Sequence, residues 1–296
     1  MILVVGGTGL LGGMIARLLL ERGEPVRILV RRNSPSEQLA KLGMATPAQS
    51  LVEAGAQPIF GDLKDPASLD AACQGVETVI TTANSALRGG EDNVQTVDLQ
   101  GNRRLIDAAR AAGVSQFIFT SAIGASPDSP SDFLRAKGLT DPHLRDSGLT
   151  HTILMPNVFM EIWVPMVVGR PVMEGQPVTL VGEGRRRHSF VSMGDVANFA
   201  VAAVGHAAAM NQTLAIGGPE PVSWRDVVAA FARVLGREIP VRSVAPGEPV
   251  PGVPESALPL MAALETFDSP MDMAETARTF GVRLTTLEEV VRRLAA

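Results

Sequence analysis

Short apolar runs at Ile2 to Val5, Val26 to Arg31, Pro58 to Gly61, Thr78 to Thr82, Gln116 to Ser121 and Thr150 to Met155 alternate with stretches long enough for helices. That rhythm is the signature of parallel strands covered on both faces by helices. Between the first two runs, Leu11, Ile15, Leu18 and Leu19 recur at helical spacing. Gly23 follows where a left-handed cap would end the helix, completing one strand–helix–strand unit. A further helix is predicted from Asn93 to Ala112, with Leu105, Ile106 and Ala109 on one face and Gly113 as its stop, and it leads into the strand through Phe117, Ile118 and Phe119. The class predicted is α/β, a doubly wound parallel sheet.

After Pro156 the pattern changes. Prolines, methionines and isolated short strands, Val178 to Val181 and Ser189 to Val191, mix with helices near Asp195 to Val204 and Trp224 to Leu235. Val244 to Pro259 is rich in proline and reads as an irregular connection. The expected organisation is a nucleotide-binding domain over 1–155 and a mixed segment over 156–296 that completes the sheet and forms a smaller C-terminal substrate lobe.

Composition narrows the function classes. Apolar residues make up 46% of the 296 positions and charged ones 19%, which suits a folded domain rather than a disordered one. The net charge of -5, with no like-charge block longer than Arg185-Arg186-Arg187, supplies no basic stripe for a phosphate backbone, so nucleic-acid binding is not expected. The single cysteine, Cys73, forms no internal disulfide and no metal cluster, and reads as a small buried hydrophobe in a helix. No HExxH or paired-cysteine pattern suggests a metal, and no GxSxG a hydrolase. The chain opens directly into Ile2-Leu3-Val4-Val5, and no apolar run reaches the roughly 18 residues needed to cross a bilayer. A cytoplasmic protein with no membrane partner is expected, and a homodimer is allowed.

The strongest chemical signal is Val4-Val5-Gly6-Gly7-Thr8-Gly9-Leu10-Leu11-Gly12, a GxxGxxG placed after a strand and opening a helix. In that context Gly6 makes the tight turn, Gly9 lets backbone amides approach a pyrophosphate, and Gly12 lets the helix pack closely on a Rossmann-type sheet. Thr8, Leu10 and Leu11 belong to the same phosphate-facing turn, where the helix N-terminus favours negative charge. At the end of the second strand an NAD site would place an acid against the ribose 2′-hydroxyl, whereas this chain has Arg31-Arg32. Guanidinium groups grip phosphate, so NADP(H) is the expected cofactor, with Arg31 favoured over Arg32 and NADPH preferred to NADH by about tenfold or more. Asp62, after the third strand, is placed either for the adenine edge or, like Asp65, for capping a helix. Thr82 and Ala83, after the fourth, are small residues suited to the wall of a cofactor site.

Together with IDAARAAGVSQFIFTSAIGA, the segment around Lys137 that leads into SGLTHTILMPNVFME, and SFVSMGDVANFA, these features resemble the atypical short-chain dehydrogenase/reductases of the NmrA-like group. The likeness covers nearly the whole chain. That group includes quinone reductases, triphenylmethane reductase, isoflavone reductase relatives and redox-sensing regulators. In ordinary members of the wider superfamily a tyrosine four residues before a lysine donates a proton; here that position is Phe133, ahead of Lys137, and the chain holds no tyrosine at all. Ketone reduction by a tyrosine–lysine pair is therefore excluded. The resemblance leaves Lys137 to hold the nicotinamide ribose, the plain alternative being an exposed surface lysine. Ser121 matches the superfamily's serine and would contact a substrate oxygen, unless it merely closes a turn. Met155, Asn157, Phe159, Met160, Trp163 and Met166 lie where the family's substrate wall begins, although methionine also fills irregular cores.

The resulting expectation is an NADPH-dependent reductase that passes hydride to a small, planar, electron-poor acceptor, a quinone, enone or cationic dye, with Lys137, Ser121 and Asn157 as its catalytic set. The competing expectation is a non-catalytic NADP(H) sensor that binds a protein partner. Asp195 is expected to begin or cap a helix, and His143, His151 and His188 are given no catalytic role.

Overall fold

The computed structural model describes residues 1–32, 36–41, 43, 45–85 and 90–296. In chain order the first half runs β1 (Ile2–Val5), α1 (Leu10–Glu21), β2 (Val26–Val30), α2 (Ser36–Lys41), α3 (Ala48–Glu53), β3 (Gln57–Phe60), α4 (Pro66–Cys73), β4 (Thr78–Thr81), a wide π-type helical segment Val94–Gly101 that passes into α5 (Asn102–Ala111), β5 (Gln116–Thr120), α6 (Asp132–Asp146) and β6 (Thr150–Pro156). The chain continues through α7 (Met160–Val164), α8 (Arg170–Met173), β7 (Val178–Val181), α9 (Met193–Ala202), β8 (Gln212–Ile216), α10 (Trp224–Leu235), β9 (Val241–Val244), α11 (Leu258–Leu264), α12 (Ala274–Phe280) and α13 (Leu287–Ala295).

Seven strands form one sheet in the order β3-β2-β1-β4-β5-β6-β8, and every pairing from β3 across to β6 is parallel. This is the Rossmann arrangement, with the order reversing between β1 and β4. All four residues of β1 are buried, as expected of a central strand covered on both faces. Leu3 and Val5 pack with Leu69 and Cys73 of α4 and with Leu105, Ile106 and Ala109 of α5 in one core. Cys73 is fully buried, as its composition-based reading requires.

The fold divides into two compact units: residues 1–156 with 196–215, and residues 157–195 with 216–296. In the second, β7 and β9 form a parallel two-stranded sheet, and Trp224, Val227 and Phe231 of α10 share a core with Leu287, Val290 and Val291 of α13. Among the described residues no helix is long and apolar enough to cross a membrane, and no cluster of side chains could hold a metal ion.

The structure revises several expected elements. The helix expected from Asn93 to Ala112 is not uniform: Asn93 caps it, accepting from the amides of Gln95 (3.0 Å) and Thr96 (3.1 Å), and the first eight residues are wound as a π-helix. At its end stands Asn102, a fully buried side chain whose Nδ2 donates to the carbonyls of Val97 (3.2 Å), Asp98 (3.1 Å) and Ala83 (3.3 Å), while its Oδ1 accepts from Thr81 Oγ1 (3.1 Å). The Asn102 backbone amide also donates to the Val97 carbonyl five residues back, so backbone and side chain both hold the wide turn. Ser189 to Val191 is not a strand but a series of isolated bridges, His188 to Val222 and Ser269, and Val191 to Phe159. Of the connection expected over 244–259, residues 255–257 form a 3-10 turn and α11 begins at Leu258.

Helix α9 begins at Met193 with Asp195 in its first turn, so Asp195 begins the helix as expected, but it does not cap it. Glu161 does so from α7, accepting from Ser192 Oγ (2.5 Å) and from the Met193 amide (2.8 Å). The Asp195 carboxylate instead accepts from the amide (2.7 Å) and hydroxyl (2.8 Å) of Thr285, fastening the start of the C-terminal segment.

Candidate functional site

At the carboxyl end of β1, Gly6 turns the chain with φ at +86°, a region open to glycine, and its carbonyl accepts from the Gly9 amide at 2.9 Å. Gly9 is the N-cap of α1 with an extended backbone; no side chain caps this end and no acidic residue lies in the first turn. A Cβ on Gly12 would fall inside the contact shell of the Gly6 carbonyl oxygen and 2.8 Å from Thr82 Oγ1. The Thr82 amide in turn donates to the Val5 carbonyl at 3.0 Å, so Gly6, Gly12, Thr82 and Ala83 meet at the point where strand order reverses. The result is a helix start kept bare of side chains at the place where this architecture receives a dinucleotide phosphate. Thr8 joins the turn through its carbonyl, which accepts from the Thr46 amide at 3.0 Å, while Leu11 is buried and Leu10 half-buried.

Beyond the ends of β2 and β3 lies a charged group. Arg31 pairs through Nη1 with Asp92 Oδ2, and Lys64 donates to Asp92 Oδ1 at 2.6 Å. Arg32, the less favoured of the two arginines on sequence grounds, is exposed, with its guanidinium carbon 4.8 Å from the centre of the Phe60 ring. Asp62 holds a local turn, Oδ1 accepting from the Lys64 amide at 2.8 Å, and of the two acids weighed as helix caps only Asp65 caps α4.

Lys137 lies on α6 and is 2% exposed, which removes the surface-lysine alternative. Its Nζ donates to the Thr120 carbonyl at 2.9 Å and sits 4.6 Å from the centre of the Phe119 ring and 5.6 Å from that of Phe133. Burial pushes its pKa down, and the charges of Asp98 and Asp141 work against that shift. Ser121, at the end of β5, donates to Asp141 Oδ2 at 3.0 Å, so its hydroxyl is tied to an acid rather than to its own turn. Burial raises the Asp141 pKa against the opposing effects of Ser121, Arg145 and Lys137. Buried Oδ1 of Asp98, Oδ1 of Asp141 and Oγ1 of Thr120 lack a hydrogen-bond partner among the described residues.

In the second unit, Asn157 donates from Nδ2 to Ser269 Oγ (3.2 Å) and accepts at Oδ1 from the Val158 amide (2.8 Å), so its amide group is engaged locally. Met160 is buried, and Trp163 and Met166, partly buried, pack against the core of this unit, while Met155, also partly buried, packs against that of the first. His188 is also structural. It stacks on Phe190 at 5.8 Å, its Nε2 lies 3.0 Å from the Leu264 carbonyl and its Nδ1 2.7 Å from Ser269 Oγ. Burial holds its pKa down, which suits a neutral ring with the proton on Nε2.

The family model of the NmrA-like family matches residues 1–291. The chain belongs to the NmrA-like family. Among NmrA-like relatives, the NAD(P)H azoreductase of Xenophilus azovorans is 34% identical over 246 residues, covering 83% of this chain and 77% of that protein. A photosystem II assembly factor of Cyanophora paradoxa is 31% identical, covering 82% and 71%. Of solved structures, the Escherichia coli NADPH-dependent quinone oxidoreductase complexed with NADPH aligns over 100% of both chains at 23% identity with a TM-score of 0.78. Triphenylmethane reductase of Citrobacter sp. complexed with NADP(H) aligns over 99% and 100% at 21% identity with a TM-score of 0.80. At these identities the two structures support the fold.

Asp92, Asp98 and Asp141 were missed by sequence reasoning. Asp141 carried a signal, since it stands four residues after Lys137 on a helix and so shares its face. Asp92 carried none, because its partner Arg31 is 61 positions away.

Proposed function

We propose that this NmrA-like protein is an NADPH-dependent reductase of small, planar, electron-poor acceptors of the dye and quinone class. The observation that carries the reading is the start of α1, which no side chain caps, which has no acid in its first turn, and where Gly12 admits no side chain. Three of the four proteins compared support it: one relative is named an NAD(P)H azoreductase, and the two solved structures are complexes with NADPH or NADP(H), whereas the Cyanophora paradoxa relative is named a photosystem II assembly factor.

Bound at this turn, the dinucleotide supplies the hydride. The protein's part follows from what the chain lacks. Without a tyrosine it offers no phenolic proton, so the acceptor class is one that takes a hydride readily and draws its proton from water. Lys137 serves as a positioning residue: its Nζ grips the Thr120 carbonyl and so fixes the end of β5, from which Ser121 extends. Ser121 and Asn157 hold Asp141 and Ser269, so orientation of a flat acceptor rests on shape and proximity more than on either side chain.

The test is oxidation of NADPH in the presence of an azo dye, a quinone, an enone and a triarylmethane dye. Turnover is expected with at least one class, falling by about a hundredfold or more in Gly9→Val, whose side chain would crowd the phosphate turn. Tight NADPH binding with no oxidation by any class would overturn the reductase reading in favour of a coenzyme sensor.

A further inference from the structure

We propose that Asp92 is an internal competitor for the coenzyme's 2′-phosphate, a carboxylate that bridges Arg31 and Lys64 and thereby limits the protein's preference for NADPH over NADH. The inference rests on the coenzyme reading above and names what sets its selectivity.

Arg31 follows β2 and Lys64 follows β3, neighbouring strands on the side of the sheet next to the glycine turn after β1. In a Rossmann sheet the adenosine ribose lies over the end of the second strand, so these are the cations a 2′-phosphate would meet. In this protein they share one acid. Asp92 gives Oδ2 to Arg31 Nη1 and Oδ1 to Lys64 Nζ, the latter at 2.6 Å. One anionic group bridging a guanidinium and an ammonium is the arrangement a phosphate would adopt between them.

The three side chains are partly shielded, at 21% exposure for Arg31, 14% for Asp92 and 28% for Lys64, so their charges interact more strongly than those of an open surface pair. Burial opposes ionisation of Asp92, but the Lys64 hydrogen bond and the charges of Arg31 and Lys64 outweigh it and hold the carboxyl below its ordinary value of 3.8. The same hydrogen bond raises the pKa of Lys64. Asp92 is therefore an anion throughout the working pH range.

The two coenzymes meet this acid differently. A 2′-phosphate must displace Asp92 from both cations or lie beside it against like-charge repulsion. A 2′-hydroxyl leaves the triad in place and can donate to it. Arg32, stacked on Phe60, adds a cation for the phosphate without involving Asp92. Thus Arg31 and Arg32 favour NADPH, as the sequence suggests, while Asp92 weakens that preference.

The experiment is titration of the wild-type protein, Asp92→Asn and Asp92→Ser with NADPH and with NADH, followed by the nicotinamide fluorescence of each coenzyme. Removing the charge is expected to tighten NADPH by about five- to tenfold and to leave NADH unchanged or weaker, raising the affinity ratio by at least that factor. Thermal melts of the free proteins establish that each variant is folded, and the serine variant tests the charge independently of amide geometry. An unchanged ratio in folded variants, or weaker NADPH binding in both, would overturn the proposal and make Asp92 a support for Arg31. Failure of the wild type to bind either coenzyme would instead defeat the coenzyme reading itself.

Discussion

Lys137 places an ammonium group at 2% exposure against two phenylalanine rings, with one carbonyl as its hydrogen-bond acceptor. Removing such a group from water costs more than a single acceptor returns, which is why its pKa lies below the ordinary 10.5. A depressed lysine pKa means that the unfolded chain binds the proton more tightly, so stability rises with pH between the folded value and 10.5 and falls as pH drops through that window. Lys137→Met removes the charge and keeps the bulk. It is expected to equal or exceed the wild type in stability near neutral pH, by about 1 kcal/mol, and to lose this alkaline slope. Urea unfolding at a series of pH values from neutral to alkaline measures both, and parallel pH profiles for the two proteins would contradict the assignment. At this scale the glycine turn was legible because its determinants are contiguous: spacing alone marks Gly6, Gly9 and Gly12. The acids around the site were not, since Asp92 meets Arg31 across 61 positions and Asp141 meets Ser121 across 20. Pairings of that range depend on the fold, which the pattern of charges along a chain does not encode.

The elements were legible wherever the hydrophobic period was clean. The six strands of the first half fall within a residue of the runs that predict them; five are buried parallel strands, apolar along most of their length, and β3 is an exposed edge strand. The segment after Asn93 departed from prediction because apolar spacing does not distinguish a π-type winding, held here by hydrogen bonds of Asn102, from an α-helix. A buried amide that satisfies three carbonyls and a threonine hydroxyl holds that segment to the end of β4. Asn102→Ala would remove all four of these hydrogen bonds, at an expected cost of about 2–4 kcal/mol in urea unfolding. A loss under about 0.5 kcal/mol would show that the wide turn is set by something else. The C-terminal helix α13 shows the opposite case: its capping box, Thr286 with Glu289, is a start signal legible in the sequence that the apolar pattern does not use. Likewise, Asp195 stands in the first turn of α9, as its sequence position suggests, but its hydrogen bonds go to Thr285, across 90 positions.

For the molecule as a whole, composition and strand rhythm define the class, and the parallel order from β3 to β6 defines the Rossmann arrangement. The same arrangement serves many chemistries, so function rests on the site. That site combines a helix start stripped of side chains, a group of cations shared with Asp92, and a buried lysine in a chain without tyrosine. Coenzyme binding at the glycine turn is the claim on which the rest depends. Its most direct test is a calorimetric titration of the purified protein with NADPH, beside Gly12→Ala, whose new Cβ would meet the Gly6 carbonyl and force the turn apart. The account predicts one saturable site per chain in the wild type and affinity weakened by about tenfold or more in the variant. Absence of binding heat with either NADPH or NADH, in protein shown to be folded, would contradict it.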